Sequence, residues 1–141
     1  MKYLLDTCVL SEFVKPKPEP KVLAWINTRT ETDLYVAAMS VAELQRGVAR
    51  LTASRRKREL AAWLGQLQAG FAERVLSFTH ETATYWGEMC ARVEAGGRTM
   101  AAFDSIIAAT AIEHGLVMVT RNDRDFAVAP LVVINPWKGM D

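Results

Sequence analysis

Leu116-Val117-Met118-Val119 is an unbroken apolar run that ends abruptly in the polar stretch Thr120-Arg121-Asn122-Asp123. A strand with no polar alternation has both faces covered, which places it inside a parallel sheet flanked by helices on either side. Tyr3-Leu4-Leu5, Leu34-Tyr35-Val36-Ala37, Val75-Leu76-Ser77-Phe78 and Leu131-Val132-Val133-Ile134 are further short apolar runs of this kind, separated by segments of helical pattern. Strands alternating with helices predict a three-layer α/β/α sandwich around a mostly parallel sheet of about five strands.

The intervening segments carry their own start and stop signals. Residues 9–14 fit a short helix, and Pro20 opens a second over residues 20–28 that buries Val22, Trp25 and Ile26. Ser40-Val41-Ala42-Glu43 reads as a complete capping box, with Ser40 opening a third helix. Residues 54–69 place Leu60, Trp63, Leu64 and Leu67 on one stripe, behind the cationic run Arg55-Arg56-Lys57-Arg58. That run is read first as a solvated face and second as an RNA or partner contact. A helix over residues 82–94 is closed by Gly96-Gly97, and its Tyr85, Trp86, Met89 and Val93 follow helical spacing and are expected in the core. After Phe103-Asp104, an Ala-rich helix runs to His114-Gly115, its small side chains suited to close packing on a sheet.

Composition narrows the function. A chain of 141 residues, half of them hydrophobic, suits one domain spanning residues 1–141. The formal charge of +1 gives no overall basic excess, so an argument for nucleic acid must come from a local site. No apolar run is long enough for a membrane span, and Asp6 interrupts the N-terminus too early for a signal-peptide core, so a cytoplasmic location without membrane contact is expected. Cys8 and Cys90 lack metal-ligand spacing and are expected as small buried hydrophobes; with only His80 and His114 besides, a zinc site has too few soft ligands.

Ligands of open parallel sheets bind beyond the carboxyl ends of the strands. Asp6 follows the first strand, Asn122 and Asp123 follow the fourth, and Glu43 and Asp104 are expected in the first turns of helices that begin near that edge. Carboxylates without His or Cys suit a hard cation, Mg²⁺ or Mn²⁺. Each acid also has a structural reading: Glu43 closes the capping box, Asp104 favours the helix dipole, Asp6 ends a turn, and Asp123 or Asp125 is solvated.

Read together, four segments resemble the motifs of PIN domains: residues 4–12 (Leu-Leu-Asp6-Thr-Cys8-Val-Leu-Ser-Glu12), residues 40–47 around Glu43, residues 103–111 around Asp104, and residues 119–126 around Asn122 and Asp123. The ending Ile134-Asn135-Pro136-Trp137 resembles that of the VapC-like toxin branch, and the likeness covers nearly the whole chain. The resemblance implies a PIN fold and a Mg²⁺- or Mn²⁺-dependent endoribonuclease that leaves 5′-phosphate and 3′-hydroxyl ends. It further implies the toxin half of a type II toxin–antitoxin pair, with an antitoxin partner, an RNA substrate and a homodimeric state.

By the same resemblance Asp6, Glu43, Asp104 and Asp123 are the candidate catalytic acids, and Asp6, Glu43, Asp104 and Asn122 the candidate metal ligands. Two positions depart from the pattern, Cys8 where Asn is usual and Asn122 where Asp is frequent, and they leave Asn122, Asp123 and a water held by Asp125 open as the fourth group. Those departures also sustain an alternative, a catalytically silent PIN domain that binds RNA or protein. Other α/β readings fail on sequence: no glycine-rich phosphate loop follows the first strand, and Cys8 occupies the place of the second aspartate of a phosphoaspartyl hydrolase.

Overall fold

In a computed structural model that describes residues 1–139, the strands β1 (Tyr3–Leu5), β2 (Leu34–Ala37), β3 (Val75–Leu76), β4 (Val117–Val119) and β5 (Val133–Ile134) pair in the order β3-β2-β1-β4-β5. Every pairing is parallel, with Tyr3 opposite both Leu34 and Val117, and Leu5 opposite Val119. The expected sheet is therefore present, wholly parallel, with its central strand β1 flanked by β2 and β4.

Side-chain alternation along these strands creates the three layers. Tyr3, Leu5, Leu34, Val36, Val117 and Val119 face one core, which they share with α1 (Thr7–Glu12), α2 (Pro20–Asn27), α3 (Ala38–Ala49) and α4 (Arg55–Phe71). Leu4, Ala37 and Met118 face the other, packed by α5 (His80–Ala95), α6 (Ala102–His114) and Phe126 of the short α7 (Asp123–Phe126). Leu5, Leu10 and Ile107 are fully buried, so truncating any one to Ala should destabilise the fold by about 2–5 kcal/mol. Ala108, Ala109 and Ala111 are also fully buried, and their small side chains let α6 lie close to the sheet. Gly115 ends α6 at φ +63°, a conformation that glycine adopts without strain.

Several local expectations are corrected. The capping box at Ser40 does not form. β2 passes directly into α3 at Ala37, which makes Ser40 the third helical residue and Glu43 the sixth, beyond the first turn. Ser40 is completely buried and its hydroxyl lacks a hydrogen-bond partner among the described residues. A capping box does occur where none was expected, at the start of α5: Thr79 accepts from the Thr82 amide, and the Thr82 hydroxyl accepts from the Thr79 amide. β3 is shorter than its apolar run because its partner β2 ends at Ala37, where α3 begins. Tyr85 and Trp86 are 43% and 38% exposed rather than in the core, although Trp86 still donates to Ser105 Oγ at 2.9 Å.

The cationic run at the start of α4 is more than a solvated face. Arg56 donates to the Val14 carbonyl just past α1, and Lys57 Nζ donates to the carbonyls of Ala49 and Leu51 at the end of α3. These side chains satisfy carbonyls that neighbouring helix ends leave open, which offsets their unfavourable place on the dipole of α4 itself.

Candidate active site

The strand order reverses direction between β1 and β4: the chain builds outward through β2 and β3, then returns to add β4 and β5 on the other side. Splayed connections leave a crevice beyond the strand ends at such a switch point. Asp6 leaves β1 there, its amide bonded to the Val119 carbonyl, and Thr120 leaves β4 beside it.

Asp6 is 4% exposed and held by several donors. Its Oδ1 accepts from the Thr7 amide at 2.8 Å as the cap of α1, and its Oδ2 accepts from Thr120 Oγ1 at 2.7 Å and from the Cys8 thiol at 3.6 Å. Burial nevertheless pushes its carboxyl above the ordinary Asp value, against the lowering effect of Thr120, Thr7 and Cys8. Thr7 bridges two acids, since its hydroxyl donates to Glu43 Oε1 at 2.9 Å. Burial, and then the nearby charge of Asp6, push the Cys8 thiol up to about 11, so it stays protonated and donates. Cys8 is thus half-buried, and it acts as a hydrogen-bonding neighbour of Asp6 beyond its expected role as packing.

Asp104 occupies the third position of α6, as expected for a first-turn acid. Its carboxyl is pushed up to about 6, first by burial and then by the negative charges of Asp6, Asp125 and Glu43. The structure therefore brings Asp6, Glu43, Asp104 and Asp125 into one electrostatic cluster. Asp123 is directed elsewhere: Lys138 Nζ lies 2.7 Å from its Oδ2, Asn135 donates to its Oδ1 at 3.3 Å, and Lys138 holds its carboxyl below the usual range. Asn122 donates its amide to Thr120 Oγ1 at 3.0 Å, makes no side-chain cap for α7, and lines an open cleft beside the cluster.

Asp125 is the member that sequence reading assigned only to a bound water. The missing signal was α7: residues two apart on a helix diverge by about 200°, so one short turn sends Asp123 and Asp125 to different neighbours. Phe126, fully buried, anchors that turn.

Among the described residues, no three His, Cys, Asp or Glu side chains close by themselves into a metal cage. The donor set nonetheless fits a hard cation. It consists of carboxylate oxygens whose mutual repulsion shows in Asp104, and Mg²⁺ takes one or two carboxylates while keeping several waters.

A parallel sheet with acids gathered at its switch point is the arrangement of a PIN domain, and the family model for the PIN domain matches residues 3–130. The chain belongs to this family. It is 38% identical over 135 residues to the toxin FitB of Neisseria gonorrhoeae, covering 95% of this chain and 97% of that protein. The VapC ribonuclease Y4jK of Sinorhizobium fredii is 37% identical over 136 residues, covering 96% and 97% of the two chains. Among solved structures, FitAB bound to an IR36 DNA fragment contains a chain that superposes with a TM-score of 0.91 at 36% identity, covering 96% of this chain and 95% of that one.

Proposed function

We propose that this protein is a Mg²⁺- or Mn²⁺-dependent endoribonuclease and the toxin of a toxin–antitoxin pair. The observation that carries the reading is the convergence of Asp6, Glu43, Asp104 and Asp125 at the switch point of a PIN-family sheet, where burial first and then the charges of the other three acids raise Asp104 to about 6. Relatives named as a toxin and as a ribonuclease, matched over nearly their whole length, support it.

When bound, the metal supplies Lewis acidity toward a phosphate oxygen and lowers the pKa of a coordinated water. Asp6 and Asp104 are the residues to hold it. Thr7 and Thr120 fix the Asp6 carboxylate from both sides. Thr7 also occupies Glu43 Oε1, which leaves Oε2 as the atom to accept a proton from the attacking water. Water adds to phosphorus and the bond to the 3′ oxygen breaks. The departing oxygen is protonated by solvent, which yields 5′-phosphate and 3′-hydroxyl ends.

An apolar groove of about 400 Å³ opens directly beside Thr7 and Glu43, walled by Val14, Leu44, Leu60 and Trp63. It is the surface on which an antitoxin segment can dock with a basic side chain reaching the acids, most simply an Arg. A homodimer in the free state completes the proposal.

Incubating the protein with RNA in Mg²⁺ or Mn²⁺, in Zn²⁺ and in excess EDTA tests the reading. Cleavage in the first condition alone is expected, and full cleavage in EDTA would remove the metal from the mechanism. An isolated complex with the antitoxin should have lost this activity, and light scattering on the free protein should report a dimer.

A further inference from the structure

A cluster of four acids repels the phosphates of the strand it is meant to cut, and the chain's net charge of +1 offers no general attraction. Compensation has to be local. The cleft that borders the cluster through Asp125 and Asn122 has an open volume of about 430 Å³ and is also lined by Arg121, Arg124, Trp137 and Lys138. Its cations are not equivalent. Lys138 is already neutralised by Asp123. The Arg121 guanidinium lies 5.6 Å over the centre of the Trp137 ring, and that of Arg124 has no hydrogen-bond or ion-pair partner among the described residues. Both arginines are exposed.

The cleft is built to stay open. Asn135 ties its two walls together, donating to the Arg121 carbonyl at 3.2 Å and to Asp123 at 3.3 Å while accepting from the Trp137 amide at 2.9 Å. An arginine laid on an aromatic face keeps its planar fork of donors free and loses little freedom when it binds an anion. We propose that Arg121, oriented by Trp137, and Arg124 grip a backbone phosphate of the single-stranded substrate next to the scissile one, and that Asp123 keeps Lys138 out of that grip. Asp123 and Trp137 are then positioning residues for substrate binding. This inference rests on the ribonuclease reading for the identity of its ligand, and an acidic segment of a protein partner is the competing occupant.

The test uses a fluorescein-labelled, mixed-sequence 12-nucleotide RNA. Its binding to the Asp104→Asn protein, with and without Arg121→Ala plus Arg124→Ala, is followed by anisotropy across a salt series. Losing the grip on that one phosphate should lower the slope of log K against log salt by roughly 0.7, the value for one phosphate on a single strand. In the protein with Asp104 intact, the same pair should raise KM roughly tenfold with kcat nearly unchanged, as expected for uniform binding. Trp137→Phe should keep wild-type affinity, whereas Arg121→Lys, which retains charge and fold, should lose affinity by losing the fork. An unchanged slope in a double variant with wild-type thermal unfolding overturns the inference. So does a double variant that binds RNA normally but loses the antitoxin. If the Asp104-containing protein cleaves no RNA with Mn²⁺ while the slope still falls, the phosphate grip stands and the nuclease reading fails, so the two are separable.

Discussion

Asp104 and Asp123 both sit in the first turns of helices beside the same sheet edge, yet their carboxyls move in opposite directions. Asp104 is raised to about 6 by burial and by Asp6, Asp125 and Glu43, whereas Asp123 is lowered by Lys138 and Asn135. The helix dipole, common to both, does not distinguish them. Neighbours do. One acid is left uncompensated among its own kind, as a cation site requires, and the other is spent on shaping a cleft. The lesson is that an acid's place in a motif does not state its chemical role until the charges around it are known.

The largest effect that can break this contrast is on cleavage. Asp104→Asn and Asp6→Asn should each reduce kcat/KM for RNA with Mn²⁺ by about 10²-fold or more, the scale of losing a group that acts on the reacting centre. Asp123→Asn should reduce it by less than about tenfold, because what it loses is an exposed ion pair to Lys138. Equal losses at Asp104 and Asp123 would return Asp123 to the catalytic set. A second effect should be of intermediate size. Thr7→Val removes the donor to Glu43 Oε1 while keeping the amide that holds Asp6, and should lower kcat by roughly tenfold by freeing the Glu43 carboxylate. A wild-type rate in that variant would mean that Glu43 needs no orientation.

Much of this arrangement was legible in the sequence because it follows from periodicity. Both-face-buried runs such as Val117–Val119 announced the parallel sheet, and polar residues immediately after them put Asp6 and Thr120 at its carboxyl edge. What was not legible depended on contacts between distant segments. The bond from Thr7 to Glu43 links residues 36 positions apart, and that from Thr120 to Asp6 spans 114. Asp123 and Asp125 were indistinguishable without the turn of α7, and Trp86 kept helical spacing while facing partly outward. The S-x-x-E pattern failed for a different reason. β2 and α3 are contiguous, so no extended residue remains at Ser40 to serve as a cap.

A smaller effect sharpens the contrast through stability. In EDTA, Asp104 in the folded chain titrates at about 6, above its ordinary value of 3.8. Its ionised form is therefore disfavoured by folding: the penalty is complete above pH 6, falls as pH drops through 6 toward 4, and vanishes once both states are protonated. Asp104→Asn should then raise stability at pH 7.5 by about 1–2 kcal/mol, a figure discounted for partial exposure, and by nothing measurable near pH 3.5. Asp123 has the opposite sign, its contribution being present at neutral pH and lost as pH falls through its lowered value. Thermal unfolding of both Asn variants across this range checks the pair, and parallel pH profiles would erase the distinction.

The smallest effect is expected at Ser40, and its smallness carries the information. Had Ser40 capped α3, Ser40→Ala would cost about 1 kcal/mol and the acid at Glu43 would owe its place to that local box. Instead the hydroxyl is buried without a partner, so the protein already bears the desolvation of that group, and removing it relieves the cost while leaving a space no larger than one oxygen. Ser40→Ala should leave stability unchanged or raise it, within about 0.5 kcal/mol, and should leave cleavage at the wild-type rate because Thr7 still holds Glu43. A loss of 1 kcal/mol or more in thermal unfolding would show that Ser40 has a partner after all. It would then give that hydroxyl a part in holding α3, whereas the orientation of the Glu43 carboxylate would still rest on its bond from Thr7.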